Sequence, residues 1–201
     1  MSLIDRAKNI LLSPKTEWTK IEAEDGTVGG LFTGYAMILA ALPVVGTLIA
    51  LGLSIGPYRY FGMSYFLVSA IAGYVIGLGI VYLMGIIVNA LVPSFDGEKN
   101  DLSAMKLVVY SATPTWIAGF FGFIPGLNVL LSLAAFGYSA YLLYLGSQTA
   151  MKVPESKAVG FTAVTIIIWI IASFVVMGVI IGILISSLVG TAGLIGAAAY
   201  S

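Results

Sequence analysis

Long uncharged stretches alternate with short charged islands along this chain. Residues 26–58, 60–95, 107–151 and 158–201 carry no Asp, Glu, Lys or Arg, while the charges gather at 5–25, 96–106 and 152–157, with Arg59 alone between. A helix rises about 1.5 Å per residue and a bilayer's hydrocarbon core is about 30 Å thick, so about 20 apolar residues make one crossing. The first two stretches hold one crossing each. The third is too long for one and holds two, broken at Gly122-Phe123-Ile124-Pro125-Gly126, where proline lacks a ladder donor and glycine permits reversal. In the last, Val159–Leu188 is rich in Ile and Val, whereas Gly190–Ser201 is weakly apolar. The pattern predicts five spans, near 29–55, 65–91, 107–122, 126–148 and 160–188.

Ahead of them, Leu3, Ile4, Ala7, Ile10 and Leu11 recur at helical spacing with Asp5, Arg6 and Lys8 between, which suits a helix at the membrane surface. Ser13-Pro14 restarts the chain, with Ser13 as N-cap and Pro14 at the first helical position. The next helix is expected to carry Trp18 and Ile21 on one side and Glu17, Lys20 and Glu24 on the other, with Trp18 as an anchor at headgroup level. The fold class predicted is an all-α integral membrane protein, a five-transmembrane-helix bundle preceded by short amphipathic N-terminal helices. Its segments are a cytoplasmic stretch 1–27, a five-span domain 28–188 and a Gly/Ala-rich extracytoplasmic tail 189–201.

Composition narrows the chemistry. Sixty per cent of the 201 residues are hydrophobic and 9 % are charged, against about 25 % charged in an average soluble domain. The net charge is zero, which leaves no basic stripe for nucleic acid. With neither His nor Cys, no imidazole or thiolate metal site, disulfide or His-dependent nucleophile is available. No cofactor is expected. Placing the N-terminus in the cytoplasm puts Arg6, Lys8, Lys15, Lys20, Lys99, Lys106, Lys152 and Lys157 inside and only Arg59 outside, which is the positive-inside orientation. No cleavable signal peptide is expected, because the first apolar run follows Glu22, Glu24 and Asp25 instead of a short basic region.

Candidate chemistry is sparse. The loop with Asp96, Gly97, Glu98, Asn100 and Asp101 lacks a calcium loop's ligand order, since Lys99 intrudes and Leu107 stands at the twelfth place. Asp96-Gly97 reads as a turn and Asp101 as the next helix cap. Ser103 and Lys106 share a helix face, but Lys106 is already explained by topology, and no enzyme is expected. No ion lies inside a predicted span, where ions mark proton relays and coupled transport. The polarity there is neutral: Asn89, Ser111, Thr113, Thr115 and Asn128 form either a polar path or inter-helix hydrogen bonds. Gly73-x-x-x-Gly77 and the run Gly178, Gly182, Ser186, Gly190 offer small-residue packing faces, as do Gly30-x-x-x-Gly34 and Gly52-x-x-x-Gly56. Pro43 and Pro114 lie within spans and are expected to kink them.

Ser13-Pro14-x-x-x-Trp18-x-x-Ile21 before a long first span resembles the N-terminal signature of bacterial members of the Yip (Ypt/Rab-interacting protein) family. So do Phe95-x-Gly97-x-Lys99, Ala104-x-Lys106-Leu107 and Tyr110-Ser111-x-Thr113-Pro114-x-Trp116. The most specific match is Tyr141-Leu142-Leu143-Tyr144-x-Gly146, continuing into Met151-Lys152-Val153-Pro154-x-x-Lys157-Ala158-x-Gly160-Phe161-Thr162. The resemblance implies five spans, a cytoplasmic N-terminus, a bacterial inner (plasma) membrane and a non-enzymatic role. The Asp-Leu-Tyr-Gly-Pro motif of eukaryotic relatives is not recognisable in residues 1–30, so Rab GTPase binding is not carried over. The functions expected are a scaffold that binds lipid bilayer, other membrane proteins or itself through small-residue helix faces, or alternatively a channel or transporter for a small neutral solute or ion.

Overall fold

The computed structural model describes residues 1–53 and 63–199, with side chains given except at 63–65, 177 and 180–199. Arg59 and Gly56 lie outside the described residues. Among those described, all regular structure is helical. Two short helices come first, α1 (Leu3–Leu12) and α2 (Pro14–Ala23). Helix α3 (Val28–Gly52) contains a π-turn at Phe32–Ala36 and a break at Ala41. Helix α4 (Met63–Leu91) ends in a 3-10 turn, Val92–Phe95. Then come α5 (Asp101–Ser111), α6 (Thr113–Phe120), α7 (Leu127–Ala150) and α8 (Glu155–Ala199). The chain forms two units, Met1–Val164 and Thr165–Ser201, so α8 begins in the first and makes up the described part of the second.

Local chemistry sets most of the helix ends. The Ser2 hydroxyl accepts from the Asp5 N–H at 3.1 Å, Thr27 from Gly30 at 3.0 Å, and Asn100 from Ser103 at 2.9 Å, each filling a donor the helix cannot satisfy itself. The cap at α5 is therefore Asn100 and not Asp101, which stands inside the first turn. Ser13 does occupy the cap position before Pro14, but its side chain makes no capping bond. Both intraspan prolines stand at the second position of a restarted helix, Pro43 after Ala41 and Pro114 after Ala112, where a missing N–H costs little.

Among the described residues, four helices are long and apolar enough to cross a membrane: Val28–Gly52, Phe66–Phe95, Leu127–Ala150 and Glu155–Val176. The span expected at 107–122 is not among them. Pro114 cannot continue the α5 ladder, so this region is divided into helices of 11 and 8 residues. It is also the centre of the first unit. Every residue from Ala104 to Pro114 is buried, with α5 packed against α4 and α7. By contrast α4 buries Val81, Met84 and Val88 while exposing Val68, Ile71 and Val75, a face that suits hydrocarbon and not water.

Glycine is required at positions other than the spaced pairs. A Cβ at Gly46 would stand 2.2 Å from the Phe120 carbonyl oxygen, and one at Gly119 would stand 2.7 Å from Pro43 Cγ, so α3 and α6 meet backbone to backbone beside their prolines. Gly146 brings α7 equally close to Trp18 and Leu107. Gly73 and Gly77 meet nothing within 4 Å at their Cβ positions and border an open groove with Pro43, Thr47 and Trp116. The side chains of Gly182-to-Gly190 neighbours, Ser186 included, lie outside those described.

Candidate functional site

The charged islands come together at one end of the first unit. Helices α1 and α2 are joined by Arg6, whose Nη1 donates to Glu17 Oε1 at 2.6 Å and whose Nη2 donates to Glu24 Oε1. Arg6 is 5 % exposed and Glu17 is 0 % exposed. Lys20 adds a partly exposed contact to Glu17 at 3.3 Å. From the core helix, Lys106 Nζ donates to the Ile21 carbonyl at 2.7 Å and to the Glu24 carbonyl, so a buried lysine holds the unpaired C-terminal carbonyls of α2. Burial pushes the Lys106 ammonium below the ordinary lysine range, and Glu24 opposes that shift.

Aromatic rings extend this network into the bundle. The Arg6 guanidinium carbon lies 5.7 Å from the Tyr110 ring centroid, within cation–π range. Tyr110 packs edge-on against Trp18 at 6.2 Å and against Tyr35 at 4.7 Å, and the Tyr35 hydroxyl bonds Thr113 Oγ1 at 2.9 Å. Trp18, expected at headgroup level, is fully buried, and its indole N–H has no partner among the described residues. Glu17, expected on the solvated side of α2, is likewise buried.

Two loops pack beside this cluster. The Glu98 N–H donates to the Met151 carbonyl at 2.8 Å, Phe95 and Phe161 meet edge-on at 5.5 Å, and a Cβ at Gly97 would stand 2.7 Å from the Met151 carbonyl oxygen. Asp96 takes a left-handed turn at φ 58° and pairs with Lys157, while Lys152 pairs with Glu22 at 2.6 Å. Trp18, Lys106, Tyr110, Thr113, Phe95, Gly97, Gly146, Met151 and Phe161 are thus both the residues that carried the sequence resemblance and the contacts that hold this end of the molecule.

The neutral polar candidates do not gather around one point. Asn89 donates to Asp101 and accepts from the Asn100 N–H at 2.9 Å, tying α4 to the start of α5. Thr115 donates to the Ala112 carbonyl at 2.7 Å, across the Pro114 break. Ser111 is buried, its hydroxyl unpartnered among the described residues, and Asn128 stands half-buried in the first turn of α7. Periodicity carried a signal for the buried ions. Arg6 lies in the stripe Leu3, Arg6, Ala7, Ile10, and Glu17 in the stripe Pro14, Glu17, Trp18, Ile21. Opposite charges in the apolar stripes of two consecutive helices point to a buried pair.

Comparison with known proteins agrees with the motifs. The "Inner membrane protein YohC" of Escherichia coli strain K12 and that of E. coli O6:H1 strain CFT073 are each 26% identical to this chain over 165 residues, covering 79% of it and 85% of each relative. No solved structure matches. The Yip1 domain model matches residues 8–177, which takes in α2, with Glu17 and Trp18, and both packed loops, while Arg6 lies just ahead of it, and the chain belongs to the Yip1 domain family of membrane proteins.

Proposed function

We propose that this protein is a non-enzymatic organiser of the bacterial inner membrane that works by binding lipid and other membrane helices. Its curated relatives carry the name inner membrane protein, and the four apolar helices require lipid contact. We read five crossings, with the broken segment 107–122 as the third, shielded inside the bundle by its neighbours. The reading is supported by the chain's return: α5 starts beside Asn89 and α2, and α7 ends beside Lys152 and Glu22, so the path through α6 and back along α7 leaves and re-enters the charged end. The lysine excess puts that end, with segment 1–27, in the cytoplasm, and leaves the tail 189–201 outside. Gly73 and Gly77, with Gly178, Gly182 and Ser186 on α8, serve as close-approach faces for partner helices, including those of a second copy.

The observation that carries the preference for organiser over transporter is local pairing. Asn89, Thr113 and Thr115 each spend their hydrogen bonds on a neighbouring helix end or ring hydroxyl, whereas a permeation path presents such groups to water. Reconstituted into liposomes, the protein should add no flux of ions or small neutral solutes over protein-free vesicles, and crosslinking in native membranes should recover defined neighbours. Flux that falls when Asn89 or Thr113 is replaced by Leu would establish transport instead.

A further inference from the structure

A groove of about 360 Å³ runs between α6 and α7, walled by Ile117, Phe121, Leu131, Ala134 and Tyr138 and bounded at one end by Leu11 of α1. At that end the Tyr138 hydroxyl donates to the Leu11 carbonyl at 2.6 Å. One turn nearer the charged end, Tyr141 lies 5.7 Å from Tyr138, ring to ring, and lines a smaller cavity with Ser13, Lys15 and Thr16. The two cavities follow each other along one face of α7. From Leu131 to Tyr141 they cover about 15 Å of helix.

Most cations of the charged end are already paired. Arg6, Lys20, Lys152 and Lys157 are matched by carboxylates. Lys15 and Lys8 are exposed and make no ion pair among the described residues. Lys15 borders the smaller cavity, and Lys8 stands three residues before Leu11, on the same helix face. An apolar slot of this volume takes a single alkyl chain, whereas a helix about 10 Å across stands off from it. We propose that the slot holds an acyl chain of an anionic phospholipid whose phosphate sits between Lys8 and Lys15. The proposal deepens the lipid-binding part of the function above and rests on the crossing of α7 that it assumes. The chain gains contact in a groove cut by the small Ala134, and the headgroup gains about 1 kcal/mol for each lysine near an anionic surface, or about fivefold in occupancy per charge.

The test uses the full chain, purified in non-ionic detergent and offered equal amounts of phosphatidylglycerol and phosphatidylcholine of identical acyl composition, with retained lipid read by native mass spectrometry. Phosphatidylglycerol should be retained preferentially, and glycerol 3-phosphate, the headgroup without chains, should not displace it. The double variant Lys8→Gln/Lys15→Gln should lose the preference by about 25-fold. Ala134→Trp fills the slot from an exposed position of α7 and should shed both lipids while circular dichroism stays unchanged. An unchanged preference in the lysine variant, full retention by Ala134→Trp, or displacement by glycerol 3-phosphate overturns the proposal. Orientation in the membrane does not enter this readout, so its failure is distinct from failure of the five-crossing reading.

Discussion

Replacing Arg6 with Ala is expected to destabilise the protein by about 3–5 kcal/mol, the cost of leaving a buried charge without its partner. Glu17 is fully buried, and its remaining contact is Lys20 at 3.3 Å, whose own side chain is 54% exposed. Glu24 is less affected because nearly half of it is already solvated. The guanidinium joins two carboxylates with separate nitrogens, a bridge that a lysine's single ammonium does not reproduce, so Arg6→Lys should recover only part of the loss. The paired replacement Arg6→Met/Glu17→Leu removes both charges at similar volume and should return stability to near that of the parent. Titration of the purified variants with SDS in mixed micelles measures these differences. Equal stability of Arg6→Ala and the double variant would contradict the account of a buried, mutually dependent pair.

The second large effect is expected at Trp18. Its side chain is fully enclosed by Tyr110, Leu107 and the bare backbone at Gly146, so Trp18→Ala opens a cavity and should cost about 3–5 kcal/mol. Trp18→Phe keeps much of the volume. Because the indole N–H has no partner, losing it should carry no hydrogen-bond penalty, and the Phe variant should stay within about 2 kcal/mol of the parent. An interface anchor behaves differently: truncation there shifts membrane affinity and leaves bundle stability nearly intact. The same SDS titration separates the two outcomes.

The two expectations show where the sequence was legible. The long apolar helices Val28–Gly52, Phe66–Phe95, Leu127–Ala150 and Glu155–Val176 follow from the length of uncharged runs, because lipid tolerates few alternatives to a continuous apolar helix. The turn at 122–126 follows from local backbone chemistry, which needs no knowledge of neighbours, whereas Pro43 and Pro114, expected as kinks within spans, stand at the second position of restarted helices. The buried ions are obscured because charge ordinarily marks exposure. At Arg6 and Glu17 the helical period was the stronger signal, and each charge is tolerated because the adjacent helix supplies its opposite. Segment 107–122 has the length to predict a span but is broken at Pro114, and the burial of its first half depends on α4 and α7 closing around it, which no local pattern encodes. The same limit applies to glycine. Gly73-x-x-x-Gly77 has recognisable spacing and faces an open groove, whereas Gly46 and Gly146 have no spacing signature and make the closest approaches, because the partner backbone decides where a side chain is forbidden.

The proposed topology has the buried ion network closing a single cytoplasmic end of a five-crossing bundle. The chain contains no cysteine, so single substitutions can be labelled without background. Cysteines placed at Lys99, Lys157 and Gly122 should be tested in intact cells and in inverted vesicles with a membrane-impermeant maleimide. Positions 99 and 157 should label only in inverted vesicles and position 122 only in intact cells. Labelling of all three from the same side would contradict it.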